Sequence, residues 1–527
     1  MSSVRNILFI MCDQLRWDYL SCYGHPTLQT PHIDKLAAKG IRFDRAYVQS
    51  PVCGPSRASY YTGRTVFGHG STWNGVPLPI GEMTMGDYLR PHGYRTAVVG
   101  KTHMVPDRDG MARFGLTPGT EIGVIVSEPG FEPYERDDGL HPNELLRLKK
   151  YDLRYNDWLR AQGYQSDNPW NDFANSAEGP NGEILSAWNL RYSNLPARVK
   201  EEHSETAYMT DRAMTFIRES GETPWLLHLS FIKPHWPYIA PAPYHALYGP
   251  NQFIPVHRSE RERENPNPVF AAFMQHDVAQ SFSRDEVRSC VLAGYMGLVK
   301  QIDDHMGRLF AFLEDTGRAR DTMIVFTSDH GDYLGDHWMG EKELFHEQSA
   351  RVPMIIYDPS PEADATRGTV STRFVEALDM LPTFLDTIGA PIPSHRLEGR
   401  SLLPLLHGRD PSGWRDAVFS EIDYAFYQAR QILDVGASEA RGYMIRTDRW
   451  KYVYFKHFPP QLFDLAEDPE EFVDLGTSPK HSEIRSEMKE RLFARLLDRR
   501  NRVAMSDEQV LARRSGETKT GIIIGRW

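Results

Sequence analysis

Four short, mostly apolar runs recur along this chain, at residues 6–12, 94–99, 225–232 and 322–327. Runs of this length that do not alternate with polar residues are typical of strands buried on both faces of a parallel sheet. Segments with helical spacing lie between them, and a capping box at residues 283–286 predicts the start of the longest one. The pattern predicts an α/β fold in which helices sandwich a large, mostly parallel sheet.

Polar residues follow each of these runs directly. They are Asp13 and Gln14 after the first run, Lys101 and His103 after the second, Lys233 and His235 after the third, and Asp329 and His330 after the fourth. Ligands of open α/β sheets gather outside the carboxyl ends of the strands, so these residues are candidates for one site. Taken singly, each has a structural alternative, because an Asp after a strand often caps a helix and a lone Lys or His in a loop is usually solvated.

A further candidate, Cys53, lies just before a predicted helix. Pro55 suits the first turn of a helix and Gly63 suits a helix stop. A helix N-terminus favours an anion or a thiolate because it offers free N–H groups and a positive dipole end. Arg57, one turn on, adds a fixed charge whose fork matches tetrahedral oxyanions. These residues indicate a reactive sulfur beside an anion site, and the alternative for a lone cysteine is a buried free thiol.

The stretch VCGPSRASYYTGR at residues 52–64 resembles the signature of the type I sulfatases, the formylglycine-dependent family of the alkaline phosphatase superfamily. Other segments resemble the same family, including GKTH at residues 100–103, KPH at 233–235, and LFDL with DPE at 462–470. The resemblance covers most of the chain outside residues 104–200, 240–282 and the tail. It implies an alkaline phosphatase-like α/β domain followed by a smaller C-terminal α+β domain.

In that family a formylglycine-generating enzyme oxidises the cysteine, so this enzyme is an expected partner. One hydroxyl of the hydrated aldehyde attacks the ester. The resemblance implies that Arg57 and Lys101 hold and polarise this diol. It also implies that His103 is the base that restores the aldehyde and expels sulfate.

The remaining site residues also follow from the resemblance. Lys233, His235 and Lys342 are expected to grip the ester oxygens, and His235 or Lys342 to protonate the leaving group. The expected metal ligands are Asp13, Gln14, Cys53 in its formylglycine form, Asp329 and His330.

Two departures from the family pattern bear on the metal. Many sulfatases carry an acid where this chain has Gln14, and an amide where it has His330. Gln14 therefore either binds the metal through its side-chain oxygen or supports the metal ligands without contacting the metal itself. An imidazole makes the site softer, which predicts tolerance for Mn²⁺ or Zn²⁺ where an all-oxygen site favours Ca²⁺. The expected cofactors are formylglycine 53 and one divalent metal ion, Mn²⁺ or Ca²⁺, with Zn²⁺ as a third choice.

The expected activity is that of an arylsulfatase, a sulfuric ester hydrolase acting on sulfate monoesters. The same two departures resemble the phosphonate monoester hydrolases, so the alternative is hydrolysis of phosphonate monoesters or phosphodiesters, with promiscuous sulfatase activity. Lys101 and His103 favour the sulfatase. The aromatic-rich segment 104–200 suggests an aryl or otherwise apolar leaving group. A different class, a metal-dependent phosphotransferase or an inactive binding protein, follows if Cys53 stays a thiol.

Length and composition complete the expectations. The chain has 527 residues, 40% of them hydrophobic, which is enough for a large core. We predict a catalytic domain at residues 1–408 with insertions at 104–200 and 240–282, a small antiparallel sheet plus helix at 409–500, and an arm at 501–527. The arm contains the apolar segment 521–525, which suggests a homo-oligomer, either a dimer or a tetramer.

Charge and cysteine usage indicate the partners. The formal net charge of −11 argues against a general nucleic-acid binder, and it weakly repels an anion. The small anionic ester expected as the substrate is what the resemblance implies. The four cysteines form no CxxC pair, and no signal peptide or membrane-length apolar run is visible. We therefore predict a cytoplasmic protein that does not contact membranes.

Overall fold

The computed structural model describes residues 4–140 and 152–517. Its strands are β1 (Asn6–Asp13), β2 (Ile41–Tyr47), β3 (Arg95–Gly100), β4 (Glu132–Arg136), β5 (Ser176–Glu178), β6 (Ile184–Ser186), β7 (Trp225–Pro234), β8 (Thr322–Ser328), β9 (Arg351–Tyr357), β10 (Thr369–Ser371), β11 (Val375–Glu376), β12 (Ala417–Asp423), β13 (Arg441–Thr447), β14 (Trp450–Phe455) and β15 (Gln461–Asp464). Its α-helices are α1 (Pro31–Lys39), α2 (Cys53–Thr62), α3 (Val66–His69), α4 (Met85–Leu89), α5 (Arg108–Arg113), α6 (Glu121–Ser127), α7 (Arg154–Ala161), α8 (Glu205–Ser220), α9 (Pro268–Met274), α10 (Asp277–Phe282), α11 (Asp285–Asp315), α12 (Glu347–Ala350), α13 (Met380–Thr387), α14 (Leu403–Leu406), α15 (Gln428–Ile432), α16 (Ser482–Leu497) and α17 (Asp507–Glu517).

The large sheet has the strand order β10-β2-β9-β8-β1-β7-β3-β4, and β11 also pairs with β2. Strand β9 runs antiparallel to β2 and β8, and every other pairing in this sheet is parallel. The mostly parallel sheet predicted from the apolar runs is therefore confirmed. Strand β1 lies in the middle, between β7 and β8.

The apolar run of β1 is continuous because both of its faces are covered by helices. Leu8, Ile10 and Cys12 lie in one buried cluster, together with residues of α1, α8 and α11. Ile7, Phe9 and Met11 lie in a second cluster, with residues of α2, α4 and α13. Successive side chains of a strand point to opposite faces, so a strand between two helix layers needs apolar residues at every position.

The four-stranded C-terminal sheet is antiparallel and has the order β12-β13-β14-β15. Helix α16 packs on one face, where Met488 and Leu492 meet Ile445 and Tyr452. The other face packs against the large domain, because Met444 and Val453 share a buried cluster with residues near Cys53 and in α9. The predicted small sheet and helix are thus present, with β12 as an additional strand.

Two local expectations need correction. Residues 104–200 are not merely irregular, because β4 joins the edge of the large sheet and β5 pairs with β6. The predicted capping box at residues 283–286 is wrong, since Ser283 Oγ donates to Gln280 O at 2.8 Å and Arg284 is the residue that precedes α11.

The apolar segment 521–525 of the predicted arm lies outside the described residues, so the oligomeric state stays a prediction. None of the helices within the described ranges is both long and apolar enough to cross a membrane.

We expect Gly100→Ala to destabilise the protein at the end of β3. Gly100 has a φ of +108°, and an added Cβ would lie 1.9 Å from the carbonyl oxygen of Ser230. The backbone conformation alone costs a residue with a Cβ about 1–3 kcal/mol. Urea unfolding followed by circular dichroism would measure the loss. The matched control is Gly81→Ala, because Gly81 has no atom within 4 Å of an added Cβ. Equal unfolding midpoints for the two variants would contradict this expectation.

Candidate active site

The ends of four adjacent strands bring the predicted site residues to one edge of the large sheet. Asp13 is the last residue of β1, Lys101 follows β3, and Lys233 lies near the end of β7. Asp329 and His330 follow β8. These four strands are parallel neighbours, so their carboxyl ends point the same way.

A buried group of four donor side chains lies at this edge. Ligand atoms of Asp13, Cys53, Asp329 and His330 all lie within 4.8 Å of one another, and all four residues are buried. His330 Nε2 lies 3.0 Å from Cys53 Sγ and 3.8 Å from an oxygen of each carboxylate. Two carboxylates, an imidazole and a fourth donor suit a divalent cation, so these residues fit the metal ion that the resemblance implies.

The environment of His330 favours its use as a ligand. His330 Nδ1 lies 2.8 Å from the carbonyl oxygen of Gly331. This arrangement favours a proton on Nδ1 and leaves Nε2, which faces the Asp13 and Asp329 carboxylates, free to bind a metal. Burial lowers the pKa of His330, so the neutral ring that a metal requires is favoured.

Arg57 joins the two carboxylates from one side. Its Nε lies 2.7 Å from Asp329 Oδ2, and its Nη2 lies 3.1 Å from Asp13 Oδ2. Nη1 donates to the carbonyl oxygen of Lys101 at 2.9 Å and to Ser230 Oγ at 2.7 Å. Because every nitrogen of this buried guanidinium has a partner, Arg57 is held rigidly one turn into α2.

Lys101 adds a second positive charge. Its Nζ lies 2.5 Å from Asp13 Oδ2. Burial raises the pKa of Asp13, but the positive charges of Lys101 and its neighbours outweigh burial and lower that pKa well below its usual range. Asp13 is therefore an anion throughout the physiological pH range.

His103 is held in an unusual backbone conformation next to Cys53. Its φ is +53°, and its side chain interacts with that of Cys53. The backbone N–H groups of Thr102 and His103 both donate to Asp138 Oδ1 at 3.1 Å. Arg136 grips the same carboxylate through both of its terminal nitrogens, at 2.6 and 2.8 Å. Asp138 and Arg136 thus fix the loop that presents His103.

On the opposite side of the site, Lys342 connects Gln14 with His235. Its Nζ lies 3.0 Å from Gln14 Oε1 and 3.2 Å from His235 Nε2. Gln14 Nε2 donates to Tyr238 and to Asp332 at 3.0 and 2.5 Å. Both ends of the Gln14 amide are therefore engaged by protein groups, which favours the expectation that Gln14 supports the ligands from outside.

Lys233 is the predicted site residue that differs from the others. Its Nζ donates to Asn175 Oδ1 at 2.7 Å and to the carbonyl oxygen of Pro237 at 2.9 Å. Within the described part of the chain, its side chain makes no hydrogen bond to another predicted site residue. Burial lowers the pKa of Lys233 to about 8. The other predicted residues lie together as expected, and the roles assigned to all of them stay predictions.

The sequence analysis missed several supporting residues. Asp138, Asn175, Tyr238 and Asp332 contact predicted site residues as described above, and Arg136 holds Asp138. Strand β4 has the sequence EPYER, which contains no apolar run, so Arg136 and Asp138 carried no strand-end signal. The signal that could have found them is the charged cluster at residues 135–138 within an otherwise unassigned segment.

Comparisons with known proteins agree with this geometry. A family model described as "Sulfatase" matches residues 5–124 and 155–390, and one described as "N-sulphoglucosamine sulphohydrolase, C-terminal" matches residues 335–497. The chain is 32% identical to the multifunctional alkaline phosphatase superfamily protein PehA of Trinickia caryophylli, over 91% of this chain and 93% of that protein. It is 28% identical to an arylsulfatase of Clostridium perfringens, over 91% of each.

A solved structure extends the similarity. The phosphonate monoester hydrolase of Agrobacterium radiobacter superposes with a TM-score of 0.79 at 29% identity, covering 93% of this chain and 95% of that one. The similarity therefore includes enzymes named for sulfate esters and enzymes named for phosphonate esters. It spans both the large sheet and the C-terminal sheet.

We expect Asp138→Asn to lower kcat/KM for an aryl sulfate by about 10- to 100-fold, the usual cost of losing a residue that orients an active-site group. Burial and Lys101 lower the pKa of His103, and the negative charge of Asp138 partly offsets this effect. Loss of that charge should lower the pKa of His103 further, so the acid limb of the pH profile should also move to lower pH. Steady-state kinetics across pH would measure both effects. The matched control is Asp167→Asn, an exposed residue of the same segment. An unchanged rate and pH profile would show that Asp138 does not position His103.

Proposed function

This chain belongs to the sulfatase family, and from that premise we propose that it is an arylsulfatase. In this proposal it hydrolyses sulfate monoesters with a formylglycine made from Cys53 as the nucleophile. The observation that carries the proposal is the position of Cys53. It is the first residue of α2, fully buried, and in contact with His330, His103 and the carboxylates that Arg57 joins.

The charges around Cys53 support a singly charged, tetrahedral ester as the substrate. Arg57, Lys101 and Lys342 surround the sulfur and the two carboxylates, although the whole chain carries a net charge of −11. Positive charge concentrated in a buried site attracts an anionic group and stabilises the charge that develops on its oxygens. A metal ion bound by Asp13, Asp329, His330 and residue 53 would add a Lewis acid to this set.

The chain's own residues divide the proton transfers between two sides of the site. His103 contacts residue 53 and has a pKa lowered by burial and by Lys101, so its neutral form is available as a base. Lys342 and His235 lie 3.2 Å apart on the other side, where one of them donates a proton to the leaving-group oxygen. Lys101 and Arg57 hold residue 53 and the two carboxylates in fixed positions relative to one another.

Hydrolysis of phosphonate monoesters is the second candidate. It is favoured by the 0.79 TM-score of the Agrobacterium phosphonate monoester hydrolase and by the departures at Gln14 and His330. A sulfate monoester and a phosphonate monoester each carry one negative charge on a tetrahedral centre, so one site can accept both. Lys101 and His103 support the sulfatase.

We expect a higher kcat/KM for an aryl sulfate than for the matching aryl phosphonate monoester, measured side by side. Cys53→Ala should lower both by about three orders of magnitude, because it removes the proposed nucleophile. Cys290→Ala is the matched control, since Cys290 is a free, half-buried cysteine on α11. The mass of the peptide containing residue 53 should show loss of sulfur and gain of oxygen. A clear preference for the phosphonate would favour the second candidate, and full activity of Cys53→Ala would refute the nucleophile.

We expect the protein purified without added metal to contain Mn²⁺ or Zn²⁺, because the imidazole of His330 softens the donor set. Elemental analysis by mass spectrometry would identify the ion. His330→Asn replaces the nitrogen donor by an oxygen and should shift the bound metal towards Ca²⁺. Finding only Ca²⁺ in the unmodified protein would contradict this expectation.

A further inference from the structure

A cavity of about 700 Å³ opens beside the candidate active site. Its apolar lining consists mainly of Trp188, Leu190, Trp236, Val278, Phe282 and Val287. Charged residues of both signs lie at its edge, including Arg191, Arg284 and Glu286, so the cavity has no strong preference for an anion or a cation. Its volume is in the range of cavities that hold small organic ligands.

The inner wall of this cavity is continuous with the side of the site that holds the proposed proton donors. Trp236 directly follows His235, and the centroids of their rings lie 4.2 Å apart. Lys342 Nζ lies 5.8 Å from the centroid of the Trp236 ring, and Glu341, the residue before Lys342, also lines the cavity. A group expelled next to His235 or Lys342 is therefore adjacent to the cavity.

The aromatic residues of the wall suit a planar apolar group. Trp188 and Trp236 meet edge to face with ring centroids 5.0 Å apart. Tyr238 also lines the cavity, and its hydroxyl accepts a hydrogen bond from Gln14 Nε2. Aromatic rings in such arrangements bind a further ring by stacking and by burial of apolar surface. The volume exceeds what one small alkyl group would fill.

We propose that this cavity binds the leaving group of the ester and selects substrates whose leaving group is an aryl group of more than one ring. The inference rests on the proposed function, because it assigns the alcohol portion of the same substrate. Trp188 and Leu190 come from residues 104–200, and Val278 and Phe282 come from residues 240–282. The matching family model extends over these four residues, so the selectivity depends on the particular side chains that this chain carries there.

The test is to fill the cavity from one wall and compare two leaving groups. Val287→Trp places a large ring in the cavity from the half-buried first turn of α11. We expect the ratio of kcat/KM for 2-naphthyl sulfate to kcat/KM for methyl sulfate to fall by about tenfold or more. Val278→Trp, on α10, should lower the same ratio. Agreement between two variants on different helices would show that neither result comes from a local folding defect. The matched control is Val370→Trp on the exposed edge strand β10, which should leave both rates unchanged.

A binding measurement separates this inference from the proposed function. Calorimetry should detect binding of 2-naphthol to the unmodified protein and to Val370→Trp, and should show weakened binding to Val287→Trp. If the protein hydrolyses aryl sulfates but neither cavity variant changes the naphthyl-to-methyl ratio, the cavity is not the leaving-group site and the proposed function stands. If it hydrolyses neither sulfate nor phosphonate esters, the proposed function fails. In that case, 2-naphthol binding that Val287→Trp does not weaken would overturn the assignment of the cavity as well.

Discussion

The buried ion pairs of Arg57 with Asp13 and Asp329 are the interactions on which the rest of the site depends. Two carboxylates this close would repel one another in a dry interior, and Arg57, together with Lys101, balances their charge. The pairs also tie α2, which carries Cys53, to the ends of β1 and β8. Removing one partner of such a buried pair typically costs about 3–5 kcal/mol, because the remaining charge is left unpaired. The same contact therefore serves the fold and the chemistry.

The C-terminal sheet supports the opposite side of the site. Lys451, on β14, is fully buried and binds Glu347 at 2.8 Å, Glu471 at 2.7 Å and the carbonyl oxygen of Phe345 at 2.9 Å. These contacts hold the segment that follows Lys342. The loop around Lys342, residues 334–343, contains five non-glycine residues with positive φ, namely Leu334, His337, Trp338, Glu341 and Glu343. Such conformations cost about 1–3 kcal/mol each and persist only where tertiary contacts impose them.

In the proposed function, catalysis and selectivity use different parts of the chain. Asp13, Lys101, Asp329 and His330 lie at the ends of strands in the large sheet, Arg57 lies on α2, and Lys342 lies in the loop between β8 and β9. The proposed leaving-group cavity is built from loops, from α10 and from the start of α11, which lie outside the sheet. One scaffold of this kind can serve esters with different acids and different alcohols, which agrees with the range of activities named among the chain's relatives.

The sequence by itself determined the buried strands, the order of polar residues at their ends and the helix that begins at Cys53. Each of these depends on neighbouring residues: continuous apolar runs, the residue that follows a run, and a proline in a first turn. The tertiary structure decided the rest. Only the sheet order places Asp13 beside Asp329, 316 positions later, and only packing turns Lys233 towards Asn175. Strand β4 and the Asp138 contact escaped prediction because β4 lies at a sheet edge and contains no apolar run.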